Sequence, residues 1–407
     1  MVTHWCARSS VWVCCSTYLA TATSYWRRWV VPTATLKVAV AGGGTGGHIY
    51  PAIALAQALL RRHPAARTLF IGTQRGREAS IVPRMGYQLI QLTARPFPRF
   101  IMTPAGVLAL VATGVAGLQA LHVLKKFNPH VVITTGGYIS ACVAWAAHRL
   151  GIPLVLFEAN TIPGRANRRS AKWASAICVA FPEAMSSFAG TQAQVVHTGM
   201  PVREEMRRLN RESARRELGL SSDAFALLVF GGSQGAQRLN RALWETLPKI
   251  LNDEPQLHIY HICGEHGWKD AQVIMDELPL TLRDRYHVQS YAHDLPVRIH
   301  AADLAVARAG SGSIAELLIA GVPSILVPYP YATYNHQQHN ARAIAQAGAA
   351  IVVPNERLNG DAMYALTREL MHDVERRTSM RDSALKCAIP DAADRLLDVA
   401  FEVAKLI

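Results

Sequence analysis

Aromatic residues make up only 7% of this 407-residue chain, and no arginine- and aromatic-rich module of the RNA-binding kind occurs. Nucleic acid therefore ranks last among candidate partners. The seven cysteines form no C-x-x-C, and an odd, scattered set fits a reduced cytoplasmic protein. No D-x-D occurs, so a metal clamp on a diphosphate is not evident. Acidic residues are in deficit, 29 against 42 Lys+Arg, and the resulting +13 favours an anionic partner such as a membrane surface or a phosphorylated substrate. Neither Asp nor Glu closes the second expected strand, 68–71. Glu78 lies further on, behind Arg75 and Arg77. That counts against NAD and, to a lesser degree, against NADP. Half the residues are hydrophobic, which excludes long disorder, and the length admits two domains.

What the chain does have is glycine at strand ends. Residues 36–60 read LKVAVAGGGTGGHIYPAIALAQALL. Val38-Ala39-Val40 reads as a buried parallel strand. Gly42, Gly43, Gly44, Thr45, Gly46 and Gly47 form a turn, and Pro51 sits where the first turn of a helix accepts it. Ile53, Leu55, Ala56, Leu59 and Leu60 give that helix an apolar face. Backbone N–H groups and the helix dipole meet there, which suits an anion, and glycine lets a ligand approach closely. Gly42, Gly44 and Gly47 satisfy G-x-G-x-x-G, a weak signal alone. His48 adds a titratable imidazole at the mouth of the turn, as a general base requires.

Residues 1–35 differ in composition, with Trp5, Trp12, Trp26 and Trp29 beside Cys6, Cys14 and Cys15. A start codon assigned too far upstream fits them best. An interfacial anchor comes second, and a cleaved signal peptide last, since no charged segment precedes a clean apolar core.

Further strands are expected at 87–92, 130–134, 154–157, 225–230, 258–263, 288–291, 304–307 and 324–328. Alternating with helices, they describe a doubly wound α/β sheet whose ligands bind beyond the strands' carboxyl ends. Residues 100–124 carry no charge and are long enough to span a membrane. Pro104, Gly106, Gly114 and Gly117 interrupt them, and they run through Lys125-Lys126 into a strand. They are expected to be a crossover helix whose outer edge touches lipid, with Arg95 and Arg99 beside anionic headgroups. Glycine turns recur at 136–138, 231–236 and 308–316, so two nucleotide-fold domains should face one another across a cleft. Arg165, Arg168, Arg169 and Lys172 form a basic cluster, and 334–340 is a polar run with amides suited to hydroxyl groups.

Together, GGGTGGHIYP (42–51), GGY (136–138), Glu158 with Asn160, GMPVR (199–203), GGSQGA (231–236), RAGSGSIAE (308–316) and HQQHNA (336–341) carry a resemblance. The chain resembles the GT-B glycosyltransferases. More narrowly it resembles the bacterial family 28 enzymes that form lipid II, from residue 36 to the C-terminus. The resemblance implies two Rossmann-like domains. Residues 36–197 would face the acceptor and membrane, completed by a C-terminal helix at 385–407. Residues 198–384 would bind UDP-GlcNAc, and residues 1–35 have no family counterpart. It implies an inverting transfer of GlcNAc from UDP-GlcNAc to the C4 hydroxyl of MurNAc in lipid I, without cofactor or metal. The implied location is peripheral, on the cytoplasmic face of the inner membrane, and other cell-wall synthesis proteins are admitted as partners.

Site roles carry over by position. His48 matches the base, with Glu158 its rival. Thr45, Gly46 and Gly47 match a turn facing the donor sugar and acceptor diphosphate, while Gly44 and Tyr138 fall on the acceptor side. Asn160 matches a donor contact, and Arg203 and Ser233 match phosphate contacts. Ser311, Gly312, Ser313, Ile314 and Ala315 would shape the nucleotide pocket, and Glu316 would accept both ribose hydroxyls. Gln337 and Gln338 would read sugar hydroxyls, and Ala292 would meet uracil through its backbone. Ala159, Gly312 and Ala141-Cys142 depart from the family pattern. Competing readings are a GT-B enzyme with another lipid acceptor, a non-catalytic membrane scaffold of the same fold, and an NADP oxidoreductase. The second glycine domain disfavours the last.

Overall fold

A computed structural model describes residues 35–74, 76–95, 103–232 and 235–406. Short aliphatic runs buried on both sides build two all-parallel sheets. β1 (Lys37–Gly42), β2 (Arg67–Thr73), β3 (Leu89–Leu92), β4 (Val131–Gly136), β5 (Leu154–Glu158), β6 (Ala176–Val179) and β7 (Gln194–His197) form the first, in the order β3-β2-β1-β4-β5-β6-β7. β8 (Phe225–Phe230), β9 (Leu257–Ile262), β10 (Tyr286–Gln289), β11 (Leu304–Ala307), β12 (Ser324–Leu326) and β13 (Ala350–Val352) form the second, in the order β10-β9-β8-β11-β12-β13. In each sheet the order reverses beside the first strand, between β1 and β4 and between β8 and β11. That is where a doubly wound sheet opens a crevice. The expected strand at 87–92 is shorter, at Leu89–Leu92, and the one at 288–291 is displaced to Tyr286–Gln289. Strands β6, β7 and β13 were not foreseen: they are three or four residues long, and β7 is half-exposed at the sheet edge.

Two crossings join the domains. Gly199, at φ +81°, lies against Ile389, so a Cβ there would sit 2.7 Å from the Ile389 Cβ. The linker GMPVR and the returning chain therefore pass side by side. Beyond that point the helix Ala392–Val403 packs into the first domain's core through Leu396, Leu397, Ala400 and Phe401. Polar contacts flank the crossing. Arg61 reaches Glu204 at 2.5 Å and Asp394 at 2.5 Å, and Arg207 reaches Asp394 at 2.8 Å.

The helix Pro104–Phe127 is the expected crossover, starting at a Thr103 cap that accepts the Gly106 N–H. Ala116, Ala120 and Leu124 are buried against the sheet layer, and Gly117 lets the helix approach Trp145. Val107, Leu108, Leu110, Val111, Val115 and Leu118 are exposed, with Leu118 64% accessible. Arg99 and residues 100–102 of that expectation, like residues 1–34, lie outside the described residues.

Phe401 is 1% exposed and meets His63 edge-on at 5.4 Å between ring centroids. Phe401→Ala should lower unfolding stability by about 3–5 kcal/mol, the scale of a large cavity. Urea unfolding would check this, and a loss below about 1 kcal/mol would show that the helix does not complete the first core.

Candidate active site

The site begins where β1 and β4 end together, with Gly42 and Gly136 in register. The turn after β1 enters the helix Gly46–Arg62, and the turn after β4 enters Tyr138–Arg149. They touch so closely that side chains have no room. A Cβ at Gly136 would lie 2.6 Å from the Cε1 and Nδ1 of His48, and one at Gly137 would lie 2.6 Å from the Gly43 carbonyl oxygen. Both glycines also hold φ values, +109° and +86°, that only glycine adopts readily. The GGY motif thus makes a backbone slot for an imidazole.

His48 sits in that slot half-buried, with Nδ1 2.8 Å from the Thr135 carbonyl oxygen. A carbonyl can only accept, so Nδ1 carries the proton and Nε2 keeps its lone pair. The Thr135 hydroxyl returns a bond to the His48 carbonyl at 2.7 Å. Burial pushes the His48 pKa below its ordinary value, outweighing the Glu158 carboxylate, which pulls it up.

Two buried carboxylates fasten the loops. Glu158, 2% exposed, accepts from the Asn160 N–H at 3.0 Å and Nδ2 at 3.3 Å, from the Gly164 N–H at 3.0 Å and from Asn167 Nδ2 at 2.8 Å. With two donors on each oxygen, it has no lone pair left for a substrate proton. Glu78, 0% exposed, accepts from the Gly44 N–H at 2.9 Å, the Thr73 N–H at 2.9 Å and the Thr73 hydroxyl at 2.8 Å. The sequence marked Glu78 only as misplaced for a ribose. It turns inward instead and holds the glycine turn. Gly44 therefore directs its N–H at Glu78, not at an acceptor, and the Tyr138 hydroxyl meets Thr73 at 3.2 Å beneath the turn. The N–H groups of Gly46 and Gly47 at the helix start, beside exposed Thr45, have no partner within the helix.

Across the cleft, the helix Ser311–Ile319 presents its N-terminus behind Gly310, with Ser311 and Ile314 buried. A Cβ on Gly312 would meet nothing nearer than Met200 Cε at 3.8 Å, so glycine leaves that wall open. Glu316 is not waiting free: its Oε1 takes Arg203 Nε at 3.0 Å and Nη2 at 2.8 Å. Tyr50, from the first domain, lies under the Arg203 guanidinium at 5.6 Å and bonds the Tyr291 hydroxyl at 3.1 Å. Burial, then Tyr291, pushes the Tyr50 phenol up to about 12. Ala292 follows Tyr291, 5% exposed. Gln337 Oε1 holds the Tyr329 N–H at 2.9 Å, whereas Gln338 lines a small pocket with Tyr329, Asn335 and Asn355. Asn160 lies at the domain boundary, its Oδ1 3.1 Å from Asn340 Nδ2. Ser233 lies outside the described residues, and among those described no His, Cys, Asp or Glu cluster could hold a metal ion.

Two parallel-sheet domains whose switch-point turns share one cleft, with an imidazole on one wall and a helix N-terminus on the other, define a GT-B glycosyltransferase fold. Residues 38–179 match the glycosyltransferase family 28 N-terminal domain and 226–396 its C-terminal domain. The chain is 38% identical over 371 residues to a UDP-N-acetylglucosamine–N-acetylmuramyl-(pentapeptide) pyrophosphoryl-undecaprenol N-acetylglucosamine transferase of Desulforudis audaxviator, covering 91% of this chain and 99% of the relative. It is 38% identical over 366 residues to the Moorella thermoacetica protein of that name, covering 89% and 98%. The crystal structure of Acinetobacter baumannii MurG superposes with a TM-score of 0.69 at 26% identity, covering 90% of this chain and 99% of that one. The chain belongs to glycosyltransferase family 28, among these N-acetylglucosamine transferases.

Because His48 is held neutral in the fold, the unfolded state takes up a proton first as pH falls. Its contribution to stability is complete above about pH 6.5 and is lost as pH drops through the lower folded value. NMR titration of the imidazole should give a pKa below 6.5. Gly136→Ala, which displaces the ring, should return it toward the ordinary value. A wild-type value at or above 6.5 would contradict the slot.

Proposed function

We propose that this protein transfers GlcNAc from UDP-GlcNAc to the C4 hydroxyl of MurNAc in undecaprenyl-pyrophosphoryl-MurNAc-pentapeptide, with inversion, giving lipid II and UDP. The observation that carries the mechanism is the His48–Thr135 bond at 2.8 Å, which fixes the tautomer and leaves Nε2 to take the acceptor proton. The base sits at the first switch point, where Gly46 and Gly47 offer N–H groups to the acceptor's diphosphate. Glu158 serves as an anchor for the Asn160 loop, not as the base. The leaving UDP develops negative charge, which the N-terminus at Gly310–Ser313 and the Arg203 guanidinium stabilise. Glu316 holds Arg203 through Oε1 alone, so Oε2 is open to a ribose hydroxyl. Gln337, Gln338 and Asn160 contact the sugar, and Ala292 contacts the uracil.

Incubating the protein with UDP-[14C]GlcNAc and a lipid I analogue should yield a labelled disaccharide lipid. No labelled lipid from the wild type would refute the assignment. His48→Ala should lose about 10²–10⁴ in turnover with little change in donor binding, the scale of a missing general base.

The acceptor is membrane-borne, and the outward face of Pro104–Phe127 is the surface we assign to the lipid. By length and composition the helix could cross a membrane, at a mean hydropathy of 1.9, but its other face is committed to the domain core. Lying at the bilayer surface exposes only its outer side to lipid. Lys125 and Lys126 at its end add charge attraction to anionic headgroups. This reading puts the protein peripherally at the cytoplasmic face of the membrane. Binding to anionic vesicles should weaken at 1 M salt, where the Debye length shrinks to about 3 Å, and Leu118→Glu should weaken it further. A chain starting at residue 36 that ignores such vesicles would remove this surface from the lipid.

A further inference from the structure

Asn340 lies on the helix His336–Gln346, two residues after Gln338, and is 0% exposed. Its amide ties its own helix to two other segments. Oδ1 accepts the Thr161 N–H and the Thr161 hydroxyl, each at 3.0 Å. Nδ2 donates to Asn160 Oδ1 at 3.1 Å and to the Ala309 carbonyl at 3.4 Å. Thr161 and Asn160 belong to the first domain's loop after β5. Ala309 precedes the Gly310–Ser313 turn, and Gln337 and Gln338 stand on the amide's own helix. Both acceptor sites and both donors of one planar group are therefore used, three of the four bonds crossing between domains. No other side-chain type of this size supplies that set. Aspartate would lose both donors and set a charge against two oxygens, and alanine would leave the Thr161 N–H without its partner.

Taking the donor reading above as its basis, we propose that Asn340 is a positioning residue. It registers the Asn160 loop of the first domain against the diphosphate turn and the sugar-reading amides of the second. The donor sugar is then contacted by both domains as one unit, while the uridine and phosphates are held by the second domain alone.

Titrating the full-length protein with UDP and with UDP-GlcNAc separates these roles. Asn340→Asp should bind UDP within about twofold of wild type, yet lose about tenfold in UDP-GlcNAc affinity, the scale of one unpaired buried group. Its turnover should fall as well. Thr161→Val removes one bond from the opposite side with little risk to folding. It should shift the same UDP-GlcNAc to UDP affinity ratio by about threefold, and Thr161→Ser, which keeps the hydroxyl, should restore it. If these variants weaken both ligands alike, or leave the ratio unchanged, in a protein whose wild type transfers the sugar, this role for Asn340 is overturned alone. A wild type that neither binds UDP-GlcNAc nor transfers it would overturn the donor reading, and this proposal with it.

Discussion

The site depends on the close approach of two backbone turns at the switch point of the first sheet. β1 and β4 are neighbours, so the residues after them emerge side by side. A Cβ at Gly42 would strike the Thr135 hydroxyl, and those at Gly136 and Gly137 would strike His48 and Gly43. Three glycines thus exclude side chains from a volume that the imidazole then fills. Carbonyl and hydroxyl of a single residue, Thr135, lock the ring and its backbone together. The tautomer follows from hydrogen-bond polarity alone, and the lowered proton affinity follows from desolvation. A neutral ring with a free Nε2 is the form a base must have, and the fold produces it before any substrate arrives.

Around that slot, charge is used for shape. Glu158 closes β5 and Glu78 opens the helix Glu78–Arg84; both are buried and accept from N–H donors, an arrangement that offsets the desolvation of a carboxylate. Each captures loop N–H groups that would otherwise point elsewhere, and so decides which remain for a ligand. Arg203 and Glu316 form the opposite case. Their pairing neutralises a cation and an anion that are both largely buried, and each holds the other in one position. Tyr50 places the first domain against that pair.

One helix carries the boundary between protein and surroundings. Pro104–Phe127 buries Ala116, Gly117, Ala120 and Leu124 against the domain, and turns the larger aliphatics between Val107 and Leu118 outward. That reverses the usual arrangement of a surface helix. Gly117 allows a close approach to Trp145, while leucines and valines at 43–64% exposure make an outward apolar face.

The sequence by itself determined the architecture and most of the chemistry. Fully apolar strands between helices required parallel sheets, and glycine turns at their ends marked both crevices, because no other residue permits that backbone. His48, Arg203, Glu316 and the amides at 337–338 were recognisable by type and motif. Tertiary structure alone decided which of these touch one another. Glu158 looked like a rival base until the fold placed four N–H donors around it, and Glu78 looked unused until its carboxylate was found under Gly44. Asn340 passed as one polar residue in a polar run, because three of its four bonds go to residues 179 to 180 positions away in the other domain. Motifs record local conformation, which is set by neighbouring residues. Hydrogen-bond saturation, burial and proton affinity are set by atoms from distant segments, and those exist together only once both sheets have folded and the domains have met.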